Sequence, residues 1–181
     1  MVVGREDVGL EGAVLFRLTR SDDVRGSFSE TFRQEWMPRP DPMVQANLSR
    51  STPGVFRGMH FHREQADHWV VVAGSVLVAL HDLRSGSPTA GRSVTLELRE
   101  EDPAGLYIPP GIAHGFFTEG GCSLSYLVDR SFTGEDEHGI AWDDPGLGID
   151  WPFSDPVLSE RDRSNPPLAE ALVDPPSFRA P

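Results

Sequence analysis

The sequence predicts an all-β fold, an antiparallel sandwich or barrel relieved by a few short helices. Two observations carry this. Short segments rich in β-branched and aromatic residues recur roughly every 8–12 residues with glycine or proline between them, and within several of them apolar and polar residues alternate. Alternation with period 2 is the mark of a strand that buries one face.

Taken in order, residues 11–20 read as a strand and 21–26 as a turn cluster. Residues 27–32 alternate, with Phe28 and Phe32 on one side and Glu30 between them, which predicts a strand with one buried face. A helical turn is expected at 34–37, stopped by Pro38, Pro40 and Pro42. The next strand, 43–49, sends the amides of Gln45 and Asn47 to the same face, where they suit a polar ligand or each other.

Further strands are expected at 55–61, 68–73, 75–82, 93–98, 106–111 leading into 113–117, and 122–129. Beyond Trp142 the chain becomes loop-rich, with one short helix at 168–172 and a frayed end over 174–181. Residues 1–181 read as a single domain, its core at about 10–152 and residues 153–181 packing over it.

Composition narrows the partners. A formal net charge of −12 over 181 residues argues against nucleic acid or an anionic membrane surface, leaving room for a local basic pocket for a phosphorylated ligand. No apolar run approaches the ~20 residues of a membrane span, and the first residues lack a secretory pattern, so a cytoplasmic protein is expected. Cys122, the only cysteine, has no intrachain partner and reads as core filler. There is no lysine, which removes Schiff-base chemistry.

Residues 57–74 concentrate reactive groups. His60 and His62, two apart on an extended strand, face the same way. With Asp67 and the distant His114 they make three imidazoles and a carboxylate, a set suited to one divalent transition metal. The spacing resembles the first cupin motif, with Asp67 as its acid and Gly74 as its closing glycine. The second motif is partly present in Pro109, Gly111 and His114, with Thr118 where an asparagine is usual. Single histidines near a glycine, such as His81 and His138, read instead as hydrogen-bonded structural residues.

The same residues also suit acid–base catalysis: a neutral His60 oriented by a carboxylate is a base near neutral pH, and a tyrosine on the opposite wall returns the proton. Of the two tyrosines, Tyr107 reads as core and Tyr126 as a mid-strand residue. The two readings compete for His60, since an imidazole nitrogen bound to a metal cannot accept a proton from carbon.

From about Leu10 to about Leu172 the chain resembles the dTDP-4-dehydrorhamnose 3,5-epimerase family, the nucleotide-sugar branch of the cupin superfamily. The segments carrying the resemblance are 25–30, 45–49, 54–60, 82–88, 107–116, 142–145, 149–152 and 158–162. It implies a cupin-type antiparallel β-sandwich or jelly roll, a dTDP-linked 4-keto-6-deoxy sugar as partner, no cofactor, and a homodimer exchanging N-terminal strands. It implies that His60 is the base acting at C3 or C5 with Asp162 paired to it, and that Tyr126 donates a proton from the other face. It further implies that Arg25, Phe28, Glu30, Gln45, Asn47, Arg57 and Arg161 hold the nucleotide.

Three positions depart from the family pattern. Asp67 stands where the family has a lysine that steadies the enolate oxygen, in a loop two residues shorter; His62 replaces a common glutamine; Phe132 replaces a second tyrosine. A carboxylate at that place repels an oxyanion. Two further readings therefore stand beside the epimerase: a metal-dependent cupin enzyme using His60, His62, Asp67 and His114, and a dTDP-sugar binder without turnover.

Overall fold

The computed structural model describes residues 2–179. Its strands are β1 (Val2–Asp7), β2 (Val14–Leu18), β3 (Arg20–Asp23), β4 (Gly26–Ser29), β5 (Gln45–Ser51), β6 (Val55–Phe61), β7 (Asp67–Asp82), β8 (Ser93–Arg99), β9 (Ala104–Ile108), β10 (Ile112–Thr118), β11 (Cys122–Val128) and β12 (His138–Gly139). Two one-turn helices, α1 (Glu160–Arg163) and α2 (Leu168–Ala171), follow. All strand ladders among the described residues are antiparallel, so the all-β sandwich expected from alternation is what forms.

The sequence suggests two strands on either side of Gly74, whereas the chain makes one strand of 16 residues that belongs to both sheets. Its first half lies in the order β1-β2-β9-β7-β11-β5, and its second half in the order β8-β7-β10-β6-β12. Gly74 makes the crossing at φ 75°, and a Cβ there would stand 2.4 Å from the Gly121 carbonyl oxygen. Only glycine fits such a bend.

Side chains from the two sheets meet in a jelly-roll interior that includes Leu15, Val71, Val78, Leu80, Leu106, Ile108, Phe116 and Leu124, all buried. Complete burial of each large apolar side chain is worth about 1.5–3 kcal/mol. Tyr107 and Cys122 are buried, in keeping with core roles, and His81 is buried with its Nδ1 2.8 Å from Ser93 Oγ.

A second apolar cluster lies on β6 and under the C-terminal segment, where Phe56, Met59 and Phe61 meet Trp142, Trp151 and Phe153. This cluster fixes a stretch that has little strand propensity of its own. The end is fixed as well, contrary to the frayed tail expected from composition. Ser177 bridges Ser85, the Arg84 guanidinium lies 5.1 Å from the Phe178 ring centroid, and Arg179 pairs with Glu64; residues 180–181 fall outside the described range.

The largest difference from expectation is at residues 27–32. The strand stops at Ser29 and pairs only with β3, making a separate two-stranded ribbon whose Phe28 is 73% exposed and Val24 fully so. The alternation there is real, but within this chain the ribbon has no second layer to bury it. β1 and α1 were not legible: residues 2–7 are half charged and carry a glycine within the strand, and α1 is only one turn long. No helix among the described residues is long and apolar enough to cross a membrane.

Candidate active site

Both sheets and the C-terminal segment open onto one cavity of about 450 Å³. Its walls come from β5 and β11 of the first sheet, β6 and β10 of the second, the start of β7, and α1.

β6 carries Arg57 and His60 three positions apart, a spacing that on a regular strand would put them on opposite faces. The pairing with β10 shifts between His114 opposite His60 and Phe116 opposite Arg57, leaving one extra residue on β6. This bulge turns both side chains toward the cavity. Gly58 sits within it at φ 130°, and a Cβ there would be 2.6 Å from Gly115 Cα. Two glycines facing each other let the strands close up at this point.

His60 Nε2 lies 2.6 Å from Asp162 Oδ1. Asp162 is buried on α1, where Ser159 Oγ caps the helix by accepting the Asp162 backbone N–H at 3.0 Å. Burial alone would raise the Asp162 carboxyl, but the hydrogen bond and charge of His60, helped by Gly58 and Ser159, outweigh it and hold it below the usual carboxylate range. An ionised Asp162 accepts only, so Nε2–H donates and Nδ1 keeps the basic lone pair.

From the facing sheet comes Tyr126, opposite Asn47 and Trp69 in the ladders of β11. Burial, then the charges of Asp67 and Glu137, push its phenol up against the opposing pull of Arg57, so it stays protonated and able to donate. Arg57 donates to Ser51 Oγ at 2.9 Å and to the Arg50 carbonyl at 3.2 Å. Arg161 pairs with Glu137. Gln45 donates to Asn47 Oδ1 at 2.9 Å, so the two amides engage each other while lining the cavity.

The remaining polar wall is His62, Asp67 and His114, all buried, their ligand atoms within 4.8 Å of one another. The sequence grouped His60 with them; the structure does not, because its Nε2 is committed to Asp162. His114 is pushed down to about 4, foremost by burial, with Asp67 opposing and the neighbouring histidines assisting, so it is neutral. Asp67 lines the cavity, held by Trp69 Nε1 at 3.0 Å and Gln65 Nε2 at 2.9 Å.

Arg25, Phe28 and Glu30 do not reach this cavity within their own chain: Arg25 is exposed and pairs with Asp23, Phe28 projects from the ribbon, and Glu30 pairs with Arg33 at 2.5 Å. Sequence reading also passed over Trp69, Glu137 and Ser159 in the wall. Ser159 had a signal, a serine three residues before an acid, as in a helix-capping pair. Asp136 had none, yet its carboxylate accepts the backbone N–H groups of Arg63, Glu64 and Gln65 and so shapes the loop leading to Asp67.

The family model for dTDP-4-dehydrorhamnose 3,5-epimerase matches residues 7–170. The chain is 40% identical over 168 residues to the dTDP-4-dehydrorhamnose 3,5-epimerase of Sinorhizobium fredii, covering 88% of this chain and 86% of the relative. It is 37% identical to a dTDP-4-dehydrorhamnose 3-epimerase of Streptomyces niveus, covering 91% and 83%. Among solved structures it is similar to the dTDP-6-deoxy-D-glucose-3,5-epimerase of Legionella pneumophila in complex with dTDP-4-keto-L-rhamnose, with a TM-score of 0.89, 32% identity and coverage of 98% and 99%.

Proposed function

Because the chain belongs to the dTDP-4-dehydrorhamnose 3,5-epimerase family, we propose that its cavity takes a dTDP-4-keto-6-deoxyhexose and that His60 removes a proton beside the C4 ketone. The protein is an epimerase of such sugars. The observation that carries the assignment of residues is the 2.6 Å His60–Asp162 pair on one wall of the cavity, with a protonated Tyr126 on the facing sheet.

The chemistry follows from that placement. His60 Nδ1 takes the proton at C3 or C5, the C–H electron pair moves toward the ketone to give an enolate, and Asp162 stabilises the imidazolium. Tyr126 returns a proton from the opposite side, inverting the carbon. Only protons move, so the reaction calls for no redox cofactor. Arg57 and Arg161 suit the diphosphate, and Gln45 and Asn47 the polar edges of the nucleotide.

Arg25, Phe28 and Glu30 belong to the same reading if the protein is a homodimer whose exposed ribbon reaches its partner's cavity. The exposed Phe28 and Val24 support this, being apolar groups with no cover in one chain. Phe28→Ala is expected to weaken nucleotide-sugar binding by roughly 1–3 kcal/mol, the worth of an aromatic ring stacked on a base, with kcat and melting temperature little changed. Titration with dTDP measures this, and unaltered affinity removes Phe28 from the site.

The reaction itself is tested by incubating the protein with a dTDP-4-keto-6-deoxyhexose in D₂O and following deuterium by NMR. Incorporation at C3 and C5 gives a double epimerase, and incorporation at one carbon a mono-epimerase. Incorporation at neither leaves a nucleotide-sugar binder without turnover.

A further inference from the structure

We propose that His62, Asp67 and His114 bind one divalent transition-metal ion in the cavity wall, and that its charge, set beside the His60–Asp162 pair, steadies the enolate oxygen. The second part rests on the epimerase reading; the first does not.

The geometry of the three residues carries the site. His62 Nδ1 lies 2.6 Å from the Asp136 carbonyl oxygen and His114 Nδ1 lies 3.0 Å from that of Ile112. A carbonyl only accepts, so in both rings Nδ1 holds the hydrogen and Nε2 is left with a bare lone pair. Fixing one ring nitrogen on a backbone carbonyl is how proteins orient a histidine toward a metal with the other. Both oxygens of Asp67 are likewise steadied from behind, by Trp69 and Gln65. His114 Nε2 is 4.0 Å from Asp67 Oδ2, and the His62 and His114 ring centroids are 5.5 Å apart.

Two imidazoles and a carboxylate within 4.8 Å are a little wide for one ion, since bonds of about 2.0–2.2 Å separate ligand atoms by at most about 4.4 Å. A small inward movement closes the set. The donors, two nitrogens and one oxygen, suit first-row divalent ions, and three protein ligands leave positions open toward the cavity.

Charge gives the second argument. Two neutral imidazoles and one carboxylate around a divalent ion sum to +1. Asp67 alone at this wall disfavours an enolate, and Asp67 with the ion favours it. Asp67 and His62, where the resemblance drawn from the sequence implies a lysine and a glutamine, are two of the three ligands. Since His60 is not a ligand, base and metal do not compete. The base breaks the C–H bond, the electron pair passes to the ketone oxygen, and the ion stabilises the resulting negative charge.

The test is a cobalt(II) titration of chelator-treated full-length protein, followed by visible ligand-field bands. The expected result is saturation at one cobalt per chain, retention of the bands in His60→Asn, and their loss in both His62→Gln and Asp67→Asn, with each variant checked for folding by circular dichroism. His62 is half of the histidine pair and lies just past the end of β6, so His62→Gln remains decisive if Asp67→Asn fails to fold. Absent bands, bands that survive in His62→Gln, or bands lost in His60→Asn overturn the site.

Deuterium wash-in separates this site from the epimerase reading. Chelation is expected to slow wash-in at least about tenfold, with cobalt restoring it. Wash-in without cobalt bands overturns the metal site and leaves the epimerase. Bands without wash-in do the reverse, and bands with wash-in indifferent to chelation overturn the ion's role at the enolate.

Discussion

Replacing His60 by asparagine is expected to slow deuterium wash-in by about 10²–10⁴-fold, the usual worth of a positioned general base, while affinity for dTDP stays near that of the wild type. Asparagine is smaller and its amide ends about one bond short of the Nε2 position that meets Asp162, but Arg57 stays held by Ser51 and Arg50, so the nucleotide end of the cavity keeps its shape. What is lost is the basic lone pair on Nδ1. Asp162→Asn removes the other half: with no carboxylate behind it, the ring is free to take either tautomer and the imidazolium loses its counter-charge. The depressed carboxyl of Asp162 means that the counter-charge behind the ring persists below neutral pH. Wash-in by His60→Asn within threefold of the wild type would show that another group removes the proton.

His60 and Asp162 are 102 residues apart, and no spacing rule joins them. Family resemblance paired them; the bulge at Gly58, the Ser159 cap and the aromatic cluster under the C-terminal segment explain how the pair is held. The strands were legible because alternation and turn residues are local. Gly74 was legible as a break, but whether a break ends a strand or passes it to another sheet depends on the layer above, which one strand's pattern does not contain. The same limit applies at residues 27–32, where alternation announces a face to be buried but the chain supplies no layer over Phe28. Among the site residues, His62, Asp67 and His114 were visible as chemistry, but the tautomers that aim the two rings depend on the carbonyls of Asp136 and Ile112. Backbone oxygens leave no trace in composition or spacing.

Phe56→Ala is expected to destabilise the fold by about 3–5 kcal/mol, as large-to-small changes at fully buried aromatic positions do. The Phe56 ring is 5.1 Å from that of Trp151, edge on, and within 6.0 Å of Trp142 and Phe153, so its loss opens a hole that three bulky neighbours cannot fill without moving. Those neighbours hold the C-terminal segment against β6. Around Phe56 the segment is tied to the strand by backbone hydrogen bonds, Phe56 N–H to the Val157 carbonyl at 3.1 Å and Val157 N–H to the Gly54 carbonyl at 2.8 Å. Two residues beyond Val157 stands the Ser159 cap, and then Asp162. Slackening the cluster should therefore cost activity as well as stability: urea unfolding should show a lowered midpoint, and wash-in under folding conditions should fall through kcat rather than through KM, because Arg57 is held separately by Ser51 and Arg50. If stability drops but wash-in in the folded protein is unchanged, the position of Asp162 does not depend on this packing. The aromatic cluster would then be a stabilising layer alone, and the Ser159 cap with the His60 contact would suffice to hold the carboxylate.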